Sequence, residues 1–247
     1  MSNLETIKGD FQRIKELGFI ETTRPNNKDG GIGNTYEDLL GVKENNLKEA
    51  DYLGFEIKSK RKYNSSYISL FSKSPTHPKG GNSYLRENYG EVRDPEFPDK
   101  KKLYASVFGH RFSIVYEKYK MKLKVDYTKK RMYLLIFNLE EKLLDEIYWS
   151  FADLEKATKK MKDLMLVFAE TKKENKKVYY YYNNAEIFKN FSFIKFLKNI
   201  ETGGIMFDLR IGVYNSGKNI GKTHDHGSGF RVTKEKFKNL YDSYEIL

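Results

Sequence analysis

A short stretch of the sequence, DYLGFEIKSK at residues 51–60, places carboxylates and lysines among large apolar residues. Side chains alternate across a β-strand, so Glu56 and Lys58 should project from one face. Asp51 lies just before the strand, where a bend would bring its carboxylate beside Glu56. Two hard oxygen ligands at one point suit Mg²⁺, which keeps several waters and takes only one or two carboxylates. The stretch therefore predicts a metal site, with Lys58 beside the metal and an attacking water.

The chemistry that suits such a site is hydrolysis of a nucleic-acid backbone. Lys58 would orient the attacking water, or offset charge on the phosphate as it becomes pentacovalent. Two carboxylates held close repel each other, and a bound cation or a nearby ammonium relieves this repulsion. Phe55 and Ile57 should point to the opposite face of the strand and pack in the core.

The tripeptide Glu-x-Lys carries little information alone. It occurs four times, at Glu56, Glu140, Glu170 and Glu174. The segment Asp163–Lys172 is a true competitor, because it also runs acid, apolar strand, acid, any residue, lysine. Two features favour the first site: Lys60 extends a basic stripe on the acid-bearing face, and Glu37 lies on a short upstream helix that would lean its carboxylate towards the same metals. For either segment, the alternative is a strand end that carries a solvated ion pair.

The composition favours a soluble protein with a polyanionic partner. The chain has 247 residues, of which 39% are hydrophobic and 15% aromatic, enough for a buried core in one large domain or two lobes. Its net charge of +11 favours nucleic acid, with a solvated basic surface as the alternative. The absence of cysteine excludes disulfides, Cys-ligated zinc and thiol nucleophiles. With no apolar segment of signal-peptide or membrane-spanning type, we expect a cytoplasmic, intracellular protein.

Hydrophobic spacing predicts a mixed fold, α/β or α+β, without an alternating βαβ pattern throughout. Helices are predicted from Leu4 to Leu17, near Asn34, and in the segments 149–161, 185–200 and 233–242. Strands are predicted in LGFEIKSK, SYISLFSK, RFSIVYEK, MKLKVDY, RMYLLIFNL, DLMLVFAE and GIMFDLRIGVYN. The aromatic run Tyr179–Tyr182 and Trp149 are interpreted mainly as core packing.

The segment from Ser74 to Lys102 holds four of the five prolines, so we expect it to lack regular structure. A loop of this length inside a compact domain is usually functional or disordered. Its basic residues favour contact with the substrate. They are Lys79, Arg86 and Arg93.

The segment THDHG, residues 223–227, presents a second candidate site. His224 and His226 would share one strand face, with Asp225 adding an oxygen, but zinc usually needs three or four ligands and no further histidine lies nearby. The surroundings are rich in donors and glycine, which suits the reading of base edges. They include Asp208, Arg210, Lys218, Lys222 and Arg231. An arginine can fork onto guanine and a carboxylate can accept from cytosine, so Asp208 and Arg210 suit a G·C pair, with a surface ion pair as the alternative.

Six segments taken in order carry a resemblance to a known family. They are GNTYEDLL, DYLGFEIKSK, SLFSKSPTHPKGGNSYLRENYG, YWSFADL, AETKKENKKVYYYYNNAEIF and DLRIGVYNSGKNIGKTHDHGSGFRV. The chain resembles the MvaI/BcnI group of type II restriction endonucleases, on the MvaI side of that group. These enzymes belong to the wider PD-(D/E)xK nucleases and are akin to the mismatch-repair nicking enzyme MutH. One departure is that no proline lies near Asp51, although neither metal binding nor proton transfer uses that proline.

The resemblance implies a mixed central sheet flanked by helices, in two lobes that form a DNA cleft. Residues from about 1 to 150 would be mainly catalytic, and those from about 151 to 247 would mainly recognise DNA. Asp51 and Glu56 become metal ligands, Lys58 the catalytic lysine, and Glu37 the helix carboxylate that supports the site. In the competing segment, Asp163, Glu170 and Lys172 become structural or DNA-adjacent. DNA contacts are expected at Lys60, Lys79, Arg86, Asp208, Arg210, Lys218, Lys222, His224, Asp225, His226 and Arg231.

The implied activity is Mg²⁺-dependent hydrolysis of double-stranded DNA that leaves 5′-phosphates, with Mn²⁺ as a substitute cation. The expected enzyme is a monomer that cuts one strand at a time at a CCNGG-type site, specifically CC(A/T)GG, alongside a cognate DNA methyltransferase. One alternative is a methylation-sensitive nickase of the MutH kind. Another is a DNA-binding module without catalysis, which the intact Asp51, Glu56 and Lys58 argue against. An RNA-binding protein is a third, but no RNA-binding module is recognisable.

Overall fold

The computed structural model describes residues 2–25, 30–42, 50–62 and 67–247. The helices are α1 (Asn3–Glu16), α2 (Gly31–Leu39), α3 (Gly81–Tyr89), α4 (Phe151–Thr158), α5 (Phe193–Glu201) and α6 (Lys234–Phe237), with 3₁₀ turns at Lys159–Met161 and Lys238–Leu240. The strands are β1 (Ile20–Glu21), β2 (Glu56–Arg61), β3 (Ile68–Phe71), β4 (Glu91–Val92), β5 (Lys101–Phe108), β6 (Ser113–Val115), β7 (Tyr119–Asp126), β8 (Arg131–Phe137), β9 (Leu143–Ser150), β10 (Asp163–Glu174), β11 (Lys177–Phe191), β12 (Ile205–Val213), β13 (Thr223–Asp225), β14 (Gly229–Val232) and β15 (Tyr241–Ile246). Within the described ranges, no helix is both long and apolar enough to cross a membrane.

The chain divides into two compact units, each assembled from separated segments. The first unit comprises Met1–Ser66, Lys159–Ser192 and Lys238–Leu247, and the second comprises Tyr67–Thr158 and Phe193–Phe237. The division expected near residue 150 is therefore not the boundary between them. The reason is strand pairing, because β2 pairs with β10 and so draws residues after Lys159 into the unit that holds the N-terminal segment.

The first unit contains a mixed sheet in the order β1-β11-β10-β2, with β15 also paired to β11. β2 runs parallel to β10, with Glu56 opposite Leu164 and Lys58 opposite Leu166, whereas β10 and β11 are antiparallel. Helices α1 and α2 pack their apolar faces with this sheet, so residues of both helices and of β2 share one buried core. That core includes Ile7, Phe11, Ile14, Ile32, Tyr36, Phe55, Ile57, Met165, Val167, Tyr180 and Tyr182. The burial of Phe55 and Ile57 agrees with their predicted direction.

The predicted first helix is confirmed, and local sequence explains both of its ends. Ser2 and Glu5 form a capping box, in which the Ser2 side chain accepts from the Glu5 N–H and the Glu5 side chain accepts from the Ser2 N–H. Gly18, just past the end, has a φ of +68°, the left-handed conformation that commonly ends a helix.

The second unit contains two sheets with helices packed against them. One sheet has the order β3-β14-β12-β5-β4, with β13 also paired to β12, and the other has the order β6-β7-β8-β9. Trp149 is fully buried in its core, where its ring meets Phe207 at 4.7 Å and Phe230 at 5.7 Å between centroids. Its indole N–H donates to the backbone oxygen of Lys73 at 2.8 Å. Helices packed with several sheets across the described residues confirm the mixed α+β fold class.

Two sequence expectations are wrong in this fold. Residues 185–191, predicted as helix, are the last part of β11, and the helix α5 begins only at Phe193. The cause is that β11 is paired on both sides, to β10 and β15, and tertiary pairing overrides the helix-like spacing of its apolar residues. The segment from Ser74 to Lys102 is not free of regular structure either, since it contains α3, β4 and the start of β5. Its four prolines all lie outside α3.

Candidate active site

A tight turn before β2 brings Asp51 back to the start of that strand. Tyr52 and Phe55 exchange backbone hydrogen bonds, with N–H to oxygen distances of 3.0 and 2.8 Å. Gly54, inside the turn, has a φ of +85°, a conformation that glycine adopts without a Cβ penalty. The Oδ2 atom of Asp51 then accepts a hydrogen bond from the backbone N–H of Ile57 at 2.9 Å. The turn therefore holds the Asp51 carboxylate against the first residues of β2.

Glu56 is the first residue of β2 and is almost completely buried, with 3% of its side chain exposed. Its Oε1 atom lies 2.8 Å from the Nζ of Lys160 and 3.1 Å from the Nζ of Lys58. Its Oε2 atom is also buried and has no hydrogen-bond partner among the described residues. A buried polar atom without a partner is destabilising, so this oxygen is a favourable place for an external cation.

The two carboxylates influence each other electrostatically. Burial raises the pKa of the Asp51 carboxyl above its ordinary value, and the negative charge of Glu56 raises it further. The N–H of Ile57 lowers this pKa, as do the ammonium groups of Lys160 and Lys58. Asp51 and Glu56 thus form a partly desolvated acidic pair, whose charged form a bound cation would favour.

The donor set fits a divalent cation of the Mg²⁺ or Mn²⁺ type. Carboxylate oxygens are the ligands these hard cations prefer, and Mg²⁺ needs only one or two of them besides water. The unpartnered Oε2 of Glu56 is the structural observation that supports the fit. Within the described part of the chain, no three or more acidic or histidine side chains group closely enough to hold a metal. Glu37, on α2, therefore does not join Asp51 and Glu56 as a third carboxylate.

Two residues near Glu56, Lys160 and Tyr241, are not indicated by any sequence pattern. Lys160 lies about a hundred positions beyond Glu56 in the chain, in a lysine-rich segment that looks like solvated surface. Tyr241 is buried, and its pKa is raised by that burial and then by the negative charges of Glu56 and Asp163. Both come to the site through pairing of strands far apart in sequence, and no local signal identifies them.

The competing segment does not form a second site of the same kind. Asp163 pairs with Lys189 at 2.8 Å, and Lys172 pairs with Glu174 at 2.7 Å on the surface. Glu170 accepts from Lys62 and Asn183 at 3.0 and 2.8 Å. Asp163 and Glu170 are seven positions apart on β10, which separates them by about 23 Å along the strand. The ion-pair interpretation of this segment therefore fits its geometry.

The second unit places a cluster of charged side chains on β12 and β14. Asp208 lies beside Arg231, with 2.8 Å between Oδ2 and Nε, although Nε is not aligned for a hydrogen bond. The other oxygen of Asp208 accepts from the Ser106 hydroxyl at 3.0 Å. Arg210 is exposed and, two positions from Asp208, shares its strand face. Burial lowers the pKa of Arg231, Asp208 raises it, and Arg210 lowers it, so the three charges are mutual neighbours.

The THDHG segment is held by contacts within itself and with neighbouring residues of the second unit. The ring of His224 stacks on Tyr214 at 4.0 Å between centroids and meets His226 edge-on at 4.6 Å. Oδ1 of Asp225 accepts from the backbone N–H groups of Gly227 and Ser228, and Oδ2 accepts from the Asn82 side chain at 2.6 Å. Asp225 therefore fixes the turn that presents the histidines.

The remaining predicted DNA contacts are basic residues with differing environments. Lys79, Lys218 and Lys222 are exposed in the second unit, whereas Lys60 is half-buried on β2 in the first. Arg86, on α3, forms an ion pair with Glu87 and has only 12% of its side chain exposed. Lys79, Lys218 and Lys222 thus meet the simplest requirement for a phosphate contact, and Arg86 would have to leave its partner.

Comparisons with known proteins place this chain and its fold in one class. The family model for the MvaI/BcnI restriction endonuclease family matches residues 8–241. A solved structure of restriction endonuclease MvaI in complex with cognate DNA substrate matches with a TM-score of 0.90 and 36% identity, covering 100% of this chain and 99% of that chain. A structure of MvaI in the absence of DNA matches with a TM-score of 0.62 and 37% identity, covering 100% and 98%. No curated protein sequence matches the chain.

The fold and these matches define a type II restriction endonuclease, that is, a site-specific DNA nuclease. The chain belongs to the MvaI/BcnI restriction endonuclease family.

Proposed function

We propose that Asp51, Glu56 and Lys58 form the catalytic centre of this endonuclease, and that it hydrolyses double-stranded DNA with Mg²⁺, or with Mn²⁺ in its place. The observation that carries the proposal is the buried Glu56, which keeps one oxygen without a partner beside a second carboxylate and a lysine. Restriction endonucleases generally use a divalent metal ion. No other acidic pair described above combines burial with an unpartnered oxygen.

The chemistry divides among the three side chains. Asp51 and Glu56 hold the cation, which would supply positive charge for the phosphate and lower the pKa of a water. Lys58 carries its ammonium on the same strand face as Glu56, where it orients the attacking water and offsets charge that builds on the phosphate. Water attacks phosphorus in line, the bond to the 3′ oxygen breaks, and the products are a 5′-phosphate and a 3′-hydroxyl.

Glu37 is proposed to support the site indirectly. It lies on α2, which packs against β2, the strand that carries Glu56 and Lys58. Its helix therefore contributes to the position of the catalytic strand even though its carboxylate does not complete a three-acid group. Substitution of Glu37 should consequently reduce the cleavage rate less than substitution of Asp51 or Glu56.

The second unit is proposed to recognise the sequence, while the first unit cuts. Arg210 is exposed beside the paired Asp208 and Arg231, an arrangement that suits an arginine fork on guanine and a carboxylate that accepts from cytosine. His224 and His226, with Asp225 fixing their turn, would add further contacts from the neighbouring β13. Phosphate contacts are assigned to Lys60, Lys79, Arg86, Lys218 and Lys222. Similarity to MvaI bound to cognate DNA supports a DNA-binding role for this chain.

The recognition site is proposed to be CC(A/T)GG, within the CCNGG type, cut one strand at a time by a monomer. Support comes from the similarity to MvaI over the whole of both chains. A restriction enzyme needs protection of host DNA, so a cognate DNA methyltransferase is the expected partner in a prokaryotic cytoplasm. Each good bidentate base contact contributes about 1 to 3 kcal/mol of discrimination, so a few changed side chains would alter the site.

The proposal is tested by digestion of a supercoiled plasmid that carries CC(A/T)GG and CC(G/C)GG sites, with Mg²⁺ or with EDTA. Glu56→Ala is compared with Glu170→Ala, which removes an equivalent acid from the competing segment. We expect discrete fragments that require Mg²⁺, disappear with Glu56→Ala and persist with Glu170→Ala. Open-circle product that never becomes linear would indicate a nickase, and tight binding without any cleavage would indicate a binding module.

A further inference from the structure

Lys160 is a second cation at the catalytic carboxylate, and it lies closer than Lys58 does. Its Nζ is 2.8 Å from Oε1 of Glu56, against 3.1 Å for Lys58. Lys160 belongs to the 3₁₀ turn Lys159–Met161, which is anchored by the fully buried Met161. The following strand β10 pairs directly with β2. The position of Lys160 beside Glu56 is therefore built into the sheet rather than left to a free surface side chain.

The charges of the four side chains balance. Asp51 and Glu56 contribute two negative charges, and Lys58 and Lys160 contribute two positive charges, so their formal sum is zero. Both ammonium groups lie at the same oxygen of Glu56, and both also act on Asp51, where they lower its pKa. A divalent cation that entered this cluster would gain from the two carboxylates and be repelled by the two ammonium groups. Its affinity for the free protein should therefore be weak.

Lys160 and Lys58 have different relations to the proposed reaction. Lys58 lies on the catalytic strand and has a proposed role with the attacking water, whereas Lys160 has no such role. With 30% of its side chain exposed, Lys160 can withdraw towards solvent more readily than Lys58, which is 19% exposed. Of the two ammonium groups, that of Lys160 can therefore move away from Glu56 more easily when a metal cation binds.

We propose that Lys160 is the counter-ion of the metal-free site: it holds the buried Glu56 in place and opposes entry of the divalent cation until DNA phosphates add negative charge. Lys160 is a positioning residue in this role, because it acts through Glu56. The proposal rests on the proposed function, in which Asp51 and Glu56 hold the cation. It adds that metal binding and DNA binding are coupled through the charge of this one side chain.

The first test measures Mn²⁺ binding to the full chain without DNA, from the electron paramagnetic resonance signal of free Mn²⁺. Lys160→Met is compared with Lys177→Met, which removes the same charge from an exposed pair with Glu21 in the same unit. We expect Lys160→Met to bind Mn²⁺ about tenfold more tightly than wild type, because one repelling charge at about 4–6 Å is gone. Lys177→Met should stay within about twofold of wild type because exposed charges are screened. Equal affinities in the two variants would overturn the proposal.

The second test measures thermal unfolding in EDTA, where the cation plays no part. Loss of Lys160 leaves the buried Glu56 with one fewer counter-charge, so Lys160→Met should unfold several degrees below Lys177→Met. Lys160→Arg keeps the charge and should restore both the stability and the weak Mn²⁺ binding. If Lys160→Met does not fold, Lys160→Gln takes its place, since it keeps a donor to Oε1. A Lys160→Met variant as stable as Lys177→Met would contradict the counter-ion role.

The two proposals fail in distinguishable ways. Asp51→Asn should remove the weak Mn²⁺ binding of the wild type and the tighter Mn²⁺ binding of Lys160→Met. Mn²⁺ affinity that is unchanged by Asp51→Asn would contradict the metal site of the proposed function. In that case, the unfolding measurement in EDTA still decides whether Lys160 stabilises Glu56. Mn²⁺ binding that depends on Asp51 but not on Lys160 would overturn the counter-ion proposal alone.

Discussion

A substitution at Gly54 can strain the turn between Asp51 and Glu56 without changing either carboxylate. Gly54 has a φ of +85°, and a Cβ added there would meet nothing within 4 Å. Gly54→Ala therefore introduces a backbone penalty and no steric clash. Since the turn holds the Asp51 carboxylate beside Glu56, this substitution tests how the local fold positions the site.

The expected magnitude follows from that geometry. An alanine in the left-handed region costs about 1 to 2 kcal/mol relative to the right-handed region. For a chain of this size, about 1 kcal/mol lowers the melting temperature by about 2 to 4 °C. Gly54→Ala should thus lower it by about 2 to 8 °C in EDTA.

Gly9 provides a matched control in the same unit. It lies inside α1, and a Cβ added there also meets nothing within 4 Å. Because alanine favours the helix over glycine, Gly9→Ala should stabilise the protein by about 0.5 to 1 kcal/mol. The same chemical change therefore has opposite expected signs at the two positions.

The assay is thermal unfolding of both variants followed by circular dichroism, with plasmid cleavage over a range of Mg²⁺ concentrations. If Gly54→Ala displaces Asp51, its cleavage should need more Mg²⁺ than wild type and recover when Mg²⁺ is in excess. A Gly54→Ala variant that is as stable as Gly9→Ala, with an unchanged Mg²⁺ requirement, would refute the reasoning that this turn positions Asp51.

Two further outcomes are expected from single substitutions. Because the folded protein raises the pKa of Asp51, the contribution of this carboxyl to stability in EDTA should fall as pH rises from about 3.8 through its folded pKa. Asp51→Asn removes that contribution, so its melting temperature should gain on that of wild type as pH rises through this range, and a difference that stays constant with pH would contradict the assignment. Arg210→Ala should weaken binding to a CC(A/T)GG duplex by about 10- to 100-fold while changing non-specific DNA binding little, and equal losses on both DNAs would count against base reading.

The local arrangement of residues 51–60 could be predicted from sequence because it depends on neighbouring residues. Phe55 and Ile57 are buried as predicted, with Glu56 buried between them, and the short spacing from Asp51 to Glu56 allows a turn that brings the Asp51 carboxylate to the start of β2. The mixed fold class, α1 and β10 followed equally from local periodicity.

What could not be predicted depends on pairing between distant segments. Lys160 reaches Glu56 only because β10 lies parallel to β2 in one particular register, which nothing in the lysine-rich segment indicates. Local spacing predicts helix for the last part of β11, because the pairing of this strand on both sides has no local signature. The assembled sheet also determines that Glu56 is buried and that its Oε2 has no hydrogen-bond partner among the described residues.

The most direct test of a metal site at Asp51 and Glu56 is a crystal structure of the full chain soaked with Mn²⁺, with the metal located by anomalous scattering. We expect a peak within about 2.5 Å of carboxylate oxygens of both Asp51 and Glu56, with Oε2 of Glu56 as a ligand. A strongest peak at His224 and His226, or at Glu170, with none beside Asp51 and Glu56, would contradict it.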